Sequence, residues 1–185
     1  DPAFKTTITC EKAKFNIIGK SGEDFSYLPE IERNDSVAIS QFTLKEVIRQ
    51  TIFSIADNEN NKLMTGELFE IADDMLKVVS LDGHRISIRK IALKHSYGTK
   101  KVVVPGKTLN EVSKILSGDM DKNVHIFFTD KHILFEFNDT VVVSRLIEGE
   151  YFKIEQMLSS DYETKIKMNK RELLDCIDRA TLLVK

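Results

Sequence analysis

An internal repeat constrains the fold of this 185-residue chain more than any other feature. The segment Thr43-Leu44-Lys45-Glu46-Val47 is echoed by Thr108-Leu109-Asn110-Glu111-Val112, and the leucine recurs at Leu173. The three leucines are 65 and 64 residues apart, which marks the duplication of one supersecondary unit. The chain therefore contains two complete copies of a unit, followed by the beginning of a third.

Each copy opens with a strand and a helix. In the first copy, a strand over residues 37–40 precedes a helix whose apolar residues form a single stripe: Leu44, Val47, Ile48, Thr51, Ile52 and Ile55. In the second copy, a strand over residues 101–104 and a turn at Pro105-Gly106 precede a helix over residues 108–116. A third copy begins with a predicted strand over residues 165–168 and a helix from Arg171.

Three strands follow each complete helix. In the first copy they are residues 68–71 and 76–79, separated by the polar break Asp73-Asp74, and residues 86–93. In the second copy they are residues 124–128, 133–137 and 141–147. A duplicated strand-helix-three-strand unit predicts an α+β fold, with both helices side by side on antiparallel sheets that form the outer layer.

The stretch before the first copy has strands but no helix. Residues 6–10 and 14–18 alternate apolar and polar side chains around a short polar break, which predicts a hairpin. Residues 25–32 are expected to be extended, because Pro29 disfavours helix at the residue before it. We therefore expect residues 1–35 to be the end of a preceding unit, and a complete unit to begin at residue 36.

A polar turn between two apolar strands is the strongest candidate for a functional site. Asp82-Gly83-His84-Arg85 lies between Leu81 and Ile86, and Gly83 permits a backbone conformation that other residues avoid. His84 and Arg85 would then project polar and cationic groups beside aliphatic neighbours.

Composition excludes several classes of function. The chain has 27 basic and 29 acidic residues and a net charge of −2, which argues against binding nucleic acid through bulk charge. Cys10 and Cys176 are far apart and lack metal-site spacing, so we expect reduced thiols in a cytoplasmic protein. No apolar run approaches the roughly 20 residues of a membrane helix.

Several segments, which follow one another along the chain in the family's order, resemble the bacterial DNA polymerase III β sliding clamp. The resemblance covers essentially the whole chain. The segments are the duplicated unit, residues 80–89, Thr43-Leu44-Lys45-Glu46-Val47-Ile48-Arg49, Val103-Val104-Pro105-Gly106-Lys107 and Ser144-Arg145-Leu146-Ile147-Glu148-Gly149. That family has three such domains per subunit and forms a two-subunit ring around duplex DNA. The resemblance implies the end of a first domain (residues 1–35), a whole second domain (36–158) and the start of a third (159–185). It implies a non-catalytic processivity factor without a cofactor.

The resemblance also implies which residues approach DNA. The candidates are Lys45, Arg49, Asn58, Lys62, Lys107 and Lys114. A ring that slides needs only a few scattered cations, because affinity grows steeply with the number of phosphates neutralised.

The turn Asp82-Gly83-His84-Arg85 resembles the family's binding site for short motifs of the Gln-Leu-x-Leu-Phe kind. Such motifs occur in the replicative polymerase α subunit, the clamp loader, repair polymerases and mismatch-repair proteins. The implied pocket residues are Met64, Leu81, Gly83, His84, Arg85, Ile86, Leu158 and Ser159. Leu81 and Ser159 stand where the family usually has Thr and Pro. The full-length protein would be a homodimer, and this chain alone a monomer.

Two other hypotheses fit parts of the sequence. Asp82 and His84 could act as an acid–base pair with Arg85 as an anion clamp, although no nucleophile lies nearby in the sequence. The chain could instead be a peptide-binding adaptor that forms no ring. A metal site is disfavoured because His95, His125 and His132 lack ligand spacing.

Overall fold

The computed structural model describes residues 4–25, 27, 29–33, 35–58, 61–158 and 161–184. The chain divides into two compact units, Asp1–Gly149 and Glu150–Lys185. The first unit holds strands β1 (Lys5–Cys10), β2 (Ala13–Ile18), β3 (Ser36–Ser40), β4 (Gly66–Leu81), β5 (Ile86–Pro105), β6 (Asn123–Phe128), β7 (His132–Phe137) and β8 (Thr140–Arg145), and helices α1 (Gln41–Thr51) and α2 (Gly106–Ile115). The second holds α3 (Ile154–Met157) and α4 (Lys170–Thr181).

The predicted hairpin at the start of the chain is confirmed. Strands β1 and β2 pair antiparallel, with Cys10 opposite Ala13. Every residue of both strands is exposed, and Cys10 carries a free thiol.

Helix α1 contains the first four residues of the predicted apolar stripe, and its α-helical part ends at Thr51. The Ser40 hydroxyl accepts a hydrogen bond from the Thr43 N–H (3.2 Å) and so caps the first turn. The stripe residues Leu44, Val47 and Ile48 are buried. A single 3-10 turn (Ile52–Ser54) then continues the helix toward Ile55.

Helix α2 begins two residues earlier than predicted. Pro105 is the last residue of β5, and Gly106 is the first residue of α2. Gly106 packs against the Thr65 carbonyl and the Ile55 side chain so closely that a Cβ would not fit. The predicted turn at Pro105-Gly106 is therefore wrong. The buried residues Leu109 and Val112 belong to the same hydrophobic core as Leu44 and Val47, so the helices lie side by side as expected.

The eight predicted strands of the two copies are arranged differently from the sequence prediction. Strands β4 and β5 form one long hairpin instead of four separate segments, since pairing continues through two register shifts around Asp73, whose φ is 52°. The other sheet has the order β3-β6-β7-β8. Because β3 of the first copy pairs with β6 of the second, the two copies are interleaved.

Gln41 joins the two copies at the end of the helix layer. Its buried side-chain oxygen accepts hydrogen bonds from the Ser117 N–H (2.9 Å) and the Ser117 hydroxyl (2.8 Å). The start of α1 is thereby fixed to the residues that follow α2.

The unit Glu150–Lys185 has a simpler structure. Helix α4 is capped by the Asn169 side chain, which accepts a hydrogen bond from the Arg171 N–H (2.8 Å). The predicted strand over residues 165–168 is wrong, since these residues form no strand in the described part of this unit. An isolated run with β propensity lacks the neighbouring strand that its N–H and C=O groups require.

Candidate functional site

The predicted turn lies between β4 and β5. Leu81 and Ile86 are paired across its base, and the Asp82 N–H donates to the Arg85 carbonyl (3.3 Å). Gly83 has a φ of 90°, in the left-handed region that side chains rarely adopt. A residue with a Cβ at this position would strain the turn.

Asp82 organises the turn from within. Its carboxylate accepts hydrogen bonds from the backbone N–H groups of His84 (3.0 Å) and Arg85 (3.1 Å), and from Nε of Arg85 (2.8 Å). The His84 N–H bond is the largest of the effects that lower the pKa of Asp82. A carboxylate stabilised in this way is a poor general base, which argues against the acid–base hypothesis.

Arg85 connects the turn to the end of α1. Its guanidinium carbon lies 6.0 Å from the centre of the Phe53 ring, at the outer limit of a cation–π contact. Phe53 belongs to the 3-10 turn (Ile52–Ser54) and is 57% exposed. Phe53 is absent from the predicted pocket residues, since a residue at the end of a helical stripe gives no sign in the sequence that it contacts a distant turn.

Two serine contacts fix the base of the turn to the same helix end. The Ser80 hydroxyl donates to the Thr51 carbonyl (2.6 Å), and the hydroxyls of Ser54 and Ser87 are 2.6 Å apart. Ser80 and Ser87 are themselves paired across β4 and β5. Both strands of the hairpin are thus attached to residues 51–54 just before the turn begins.

The predicted apolar pocket residues differ in exposure. Leu81 is fully buried, and Ile86 and Met64 are half-buried. Met64 lies in a 3-10 turn (Lys62–Thr65) just before β4, and its carbonyl accepts a hydrogen bond from the Ala56 N–H (2.8 Å). Leu158 follows α3 in the unit Glu150–Lys185 and is half-exposed, while Ser159 lies outside the described residues.

Three of the four cations predicted on the two helices have hydrogen-bond or ion-pair partners. The ammonium of Lys45 donates to the Leu116 carbonyl (2.9 Å) beyond the end of α2. Arg49 is ion-paired with Glu46 (2.7 Å), and this contact raises the pKa of Arg49 and lowers that of Glu46. Lys114 is ion-paired with Glu111 (2.8 Å).

The remaining predicted DNA-facing residues, Asn58, Lys62 and Lys107, are exposed. Lys62 contributes to a groove of about 480 Å³, together with Thr65, Pro105, Arg145, Leu146, Ile147 and Glu148. Arg145 was not predicted as a site residue, because its position at the end of β8 becomes adjacent to Lys62 only when the two copies interleave.

A buried carboxyl group lies on the core side of β4. Glu67 shares the inner face of the strand with Phe69 and Ile71, is fully buried, and neither of its carboxyl oxygens has a hydrogen-bond partner. Burial raises the pKa of Glu67 to about 8, and the nearby Thr51 hydroxyl acts in the opposite direction with a smaller effect. The proton of that hydroxyl is donated to the Val47 carbonyl (2.8 Å) and is therefore not available to Glu67.

Neither a metal centre nor a membrane helix is found in the described part of the chain. No three His, Cys, Asp or Glu side chains among those residues are grouped to hold a metal ion. None of the helices there is both long and apolar enough to cross a membrane.

The layered arrangement of two helices on antiparallel sheets is the fold of DNA clamps. The family model of the DNA polymerase III beta subunit, central domain, matches residues 38–153. The chain therefore belongs to the DNA polymerase III beta subunit family.

Relatives and solved structures agree with this assignment. The beta sliding clamp of Staphylococcus epidermidis is 35% identical over 182 residues, which are 98% of this chain and 48% of that protein. A Bacillus subtilis DNA polymerase sliding clamp has a TM-score of 0.87 at 34% identity, with 100% of this chain and 49% of that chain covered. A Eubacterium rectale structure assigned as a DNA polymerase III beta subunit has a TM-score of 0.91 at 74% identity, with 100% of this chain and 51% of that chain covered. The chain spans about half the length of the curated relatives it matches.

Burial of Glu67 makes stability depend on pH. Its pKa is near 4.5 in an unfolded chain and about 8 in the folded one, so stability is fully present below pH 4.5 and is lost as pH rises to about 8. The expected loss of unfolding free energy is on the order of 4 kcal/mol. Urea unfolding at pH 5, 7 and 8.5 measures it.

Two variants test the assignment of this pH dependence to Glu67. Glu67→Gln, which cannot ionise, should remove most of the fall between pH 5 and pH 8.5. Glu70→Gln, on the outer face of the same strand, should keep it. An equal pH dependence in all three proteins would show that Glu67 is not the group responsible.

Proposed function

We propose that this chain is part of a sliding clamp, a ring that encircles duplex DNA without regard to sequence and keeps a polymerase on its template. In this proposal residues 36–158 are the complete central domain, between parts of a first and a third domain. The full-length protein is a homodimeric ring in the bacterial cytoplasm, and this chain alone is a monomer. The protein has no catalytic role and requires no cofactor.

The observation that supports the ring proposal is that cations on α1 and α2 are paired with carboxylates on the same helices. Arg49 and Lys114 each have an acidic partner one turn away, and the Lys45 ammonium is engaged by a carbonyl. A surface of this kind attracts phosphates weakly, which suits a protein that is retained by enclosure and must move along DNA. In the proposed ring, Lys45, Arg49, Lys107 and Lys114 line the opening, and Asn58 and Lys62 approach DNA at the ring face.

The second part of the proposal concerns partner proteins. We propose that the turn Asp82–Arg85, with Met64, Leu81 and Ile86, binds Gln-Leu-x-Leu-Phe motifs of the replicative polymerase, the clamp loader and repair proteins. The support is a turn held rigid by Asp82 beside half-buried apolar side chains. Met64 suits a pocket that accepts several motifs, because its side chain is unbranched and adaptable.

An adaptor that binds peptides but forms no ring is the second candidate function. It shares the peptide site and differs in its relation to DNA, so the two candidates require separate experiments.

The peptide site is tested by NMR titration of the labelled chain with the peptide Gln-Leu-Ser-Leu-Phe. Resonances of Met64, Gly83, His84, Arg85 and Ile86 should shift. Arg85→Ala should weaken binding about tenfold, because it removes the contacts with Asp82 and Phe53 that order the turn. The matched control is Arg33→Ala, since Arg33 and Arg85 side chains are both 53% exposed and both ion-paired. Equal affinity of both variants, or shifts elsewhere only, would contradict the proposed site.

The DNA proposal predicts that the chain alone binds linear duplex DNA weakly and that its own carboxylates are the reason. The double variant Glu46→Gln, Glu111→Gln frees Arg49 and Lys114, and should bind a 30-base-pair duplex more tightly at about 50 mM salt. Its plot of log affinity against log salt should steepen by about 1.8, or 0.9 for each additional phosphate that the protein neutralises. Fluorescence anisotropy measures both the affinity and its salt dependence.

The control for this experiment is Glu136→Gln, which removes the carboxylate paired with Arg33 away from the helices. It should not change DNA binding. An equal gain in affinity from Glu136→Gln, or no gain from the double variant, would mean that the two helices do not form the DNA-facing surface.

A further inference from the structure

Glu67 is the most unusual group in the described part of the chain that the proposed function does not use. It is fully buried, lacks a hydrogen-bond partner for either carboxyl oxygen, and lies in the core layer instead of a cavity open to solvent. An ionised carboxylate in such a place is costly, whereas the neutral acid is tolerated.

The position of Glu67 connects it to the turn. Its neighbour Thr51 is the last residue of α1, and the Thr51 carbonyl accepts the hydrogen bond from Ser80. Three residues further along, Ser54 contacts Ser87 on the opposite strand. Thr51, which lies beside Glu67, therefore belongs to the segment 51–54 that fixes both strands at the base of the turn.

Thr51 contacts residues near both ends of β4. Glu67 is the second residue of β4 and Ser80 the second to last, and both lie beside Thr51. In the sequence, Met64 precedes the first of these ends, and Leu81 is the last residue at the other. A change at Thr51 is therefore adjacent to both ends of the strand.

We propose that Glu67 is a positioning residue for the peptide site: its neutral form keeps residues 51–54 in place beneath the turn, and its ionisation releases them. This inference rests on the proposed peptide-binding function. The buried carboxylate would recruit the nearest hydroxyl proton, that of Thr51, which now goes to the Val47 carbonyl. Rotation of Thr51 away from Val47 loosens the last turn of α1 and, with it, the contact of its carbonyl with Ser80.

Glu67 is surrounded by elements whose charged groups do not face it. Its cross-strand partner on β5 is the apolar Val104, and only burial and the Thr51 hydroxyl alter its pKa. Charged side chains on the elements packed against β4 lie toward solvent, among them Arg49 on α1, Lys62 in the 3-10 turn, Arg89 on β5 and Lys107 on α2. The protonation of Glu67 is therefore the event that pH controls at this position.

The first test requires no peptide. In the 185-residue chain, the ¹³C resonance of the Glu67 carboxyl is followed from pH 6 to pH 9.5, together with the methyl resonances of Met64, Leu81 and Ile86. The carboxyl should titrate near pH 8, and the methyl resonances should change with the same midpoint. A carboxyl resonance that stays constant from pH 6 to pH 9.5, or methyl resonances that do not change with the carboxyl, would overturn the proposal.

Variants separate Glu67 from other titrating groups. Glu67→Gln should abolish the methyl transition near pH 8, and Glu67→Met should do the same if the glutamine amide prevents folding. Glu70→Gln, three residues away on the outer face, should leave the transition unchanged. A transition that persists in both Glu67 variants would contradict the proposal.

The second test measures affinity for Gln-Leu-Ser-Leu-Phe at pH 6.5 and pH 9. At pH 9 about nine-tenths of the molecules carry an ionised Glu67, so the apparent affinity should fall about tenfold, and it should remain constant in Glu67→Gln. Peptide binding without pH dependence would refute the role of Glu67 and leave the peptide site intact. A methyl transition without peptide binding at either pH would support the role of Glu67 in the turn and refute the peptide site.

Discussion

Burial of two equivalent helix stripes is the constraint on which the rest of the structure depends. Leu44, Val47 and Ile48 on α1 and Leu109 and Val112 on α2 enter one core, and each buried aliphatic side chain contributes about 1.5–3 kcal/mol. Two helices that share a core from the same side require sheets beyond them.

The two copies of the unit form one packed structure because their strands are interleaved. Strand β3 of the first copy joins the sheet of the second, and β5 carries the chain from the first copy into the second while it remains paired with β4. Gln41 and Lys45 add polar contacts between the copies at Ser117 and Leu116. Neither copy has a complete sheet alone, so the duplicated unit is expected to fold as one domain.

Local features of the fold could be predicted from the sequence, whereas features that depend on long-range pairing could not. The stripe of α1, the hairpin β1–β2 and the turn at Gly83 follow from periodicity and residue type, and all three are present. The long β4–β5 hairpin was predicted as separate strands, because a polar pair such as Asp73-Asp74 indicates a break equally well when it forms a bulge. Glu67 could not be recognised as buried, since Glu67 and Glu70 face opposite sides of one strand and the sequence does not indicate which side meets the helices.

The contacts of the candidate site show the same division. The ion pair between Asp82 and Arg85 joins residues that are close in sequence, so it could be predicted. Arg85 also contacts Phe53, and Lys62 shares a groove with Arg145; both arrangements join distant segments and could not be predicted. The contacts of the helix cations also limit how strongly these residues could attract DNA. Three of them already have partners, so the proposed ring would rely on enclosure more than on attraction.

The most direct test of the proposed ring is the structure of the full-length protein, determined by crystallography or electron microscopy. We expect a closed two-subunit ring in which α1 and α2 face the opening, with Arg49 and Lys114 lining it and the turn Asp82–Arg85 on the outside. A monomer, an open assembly, or a ring with these helices on its outer surface would contradict the proposal.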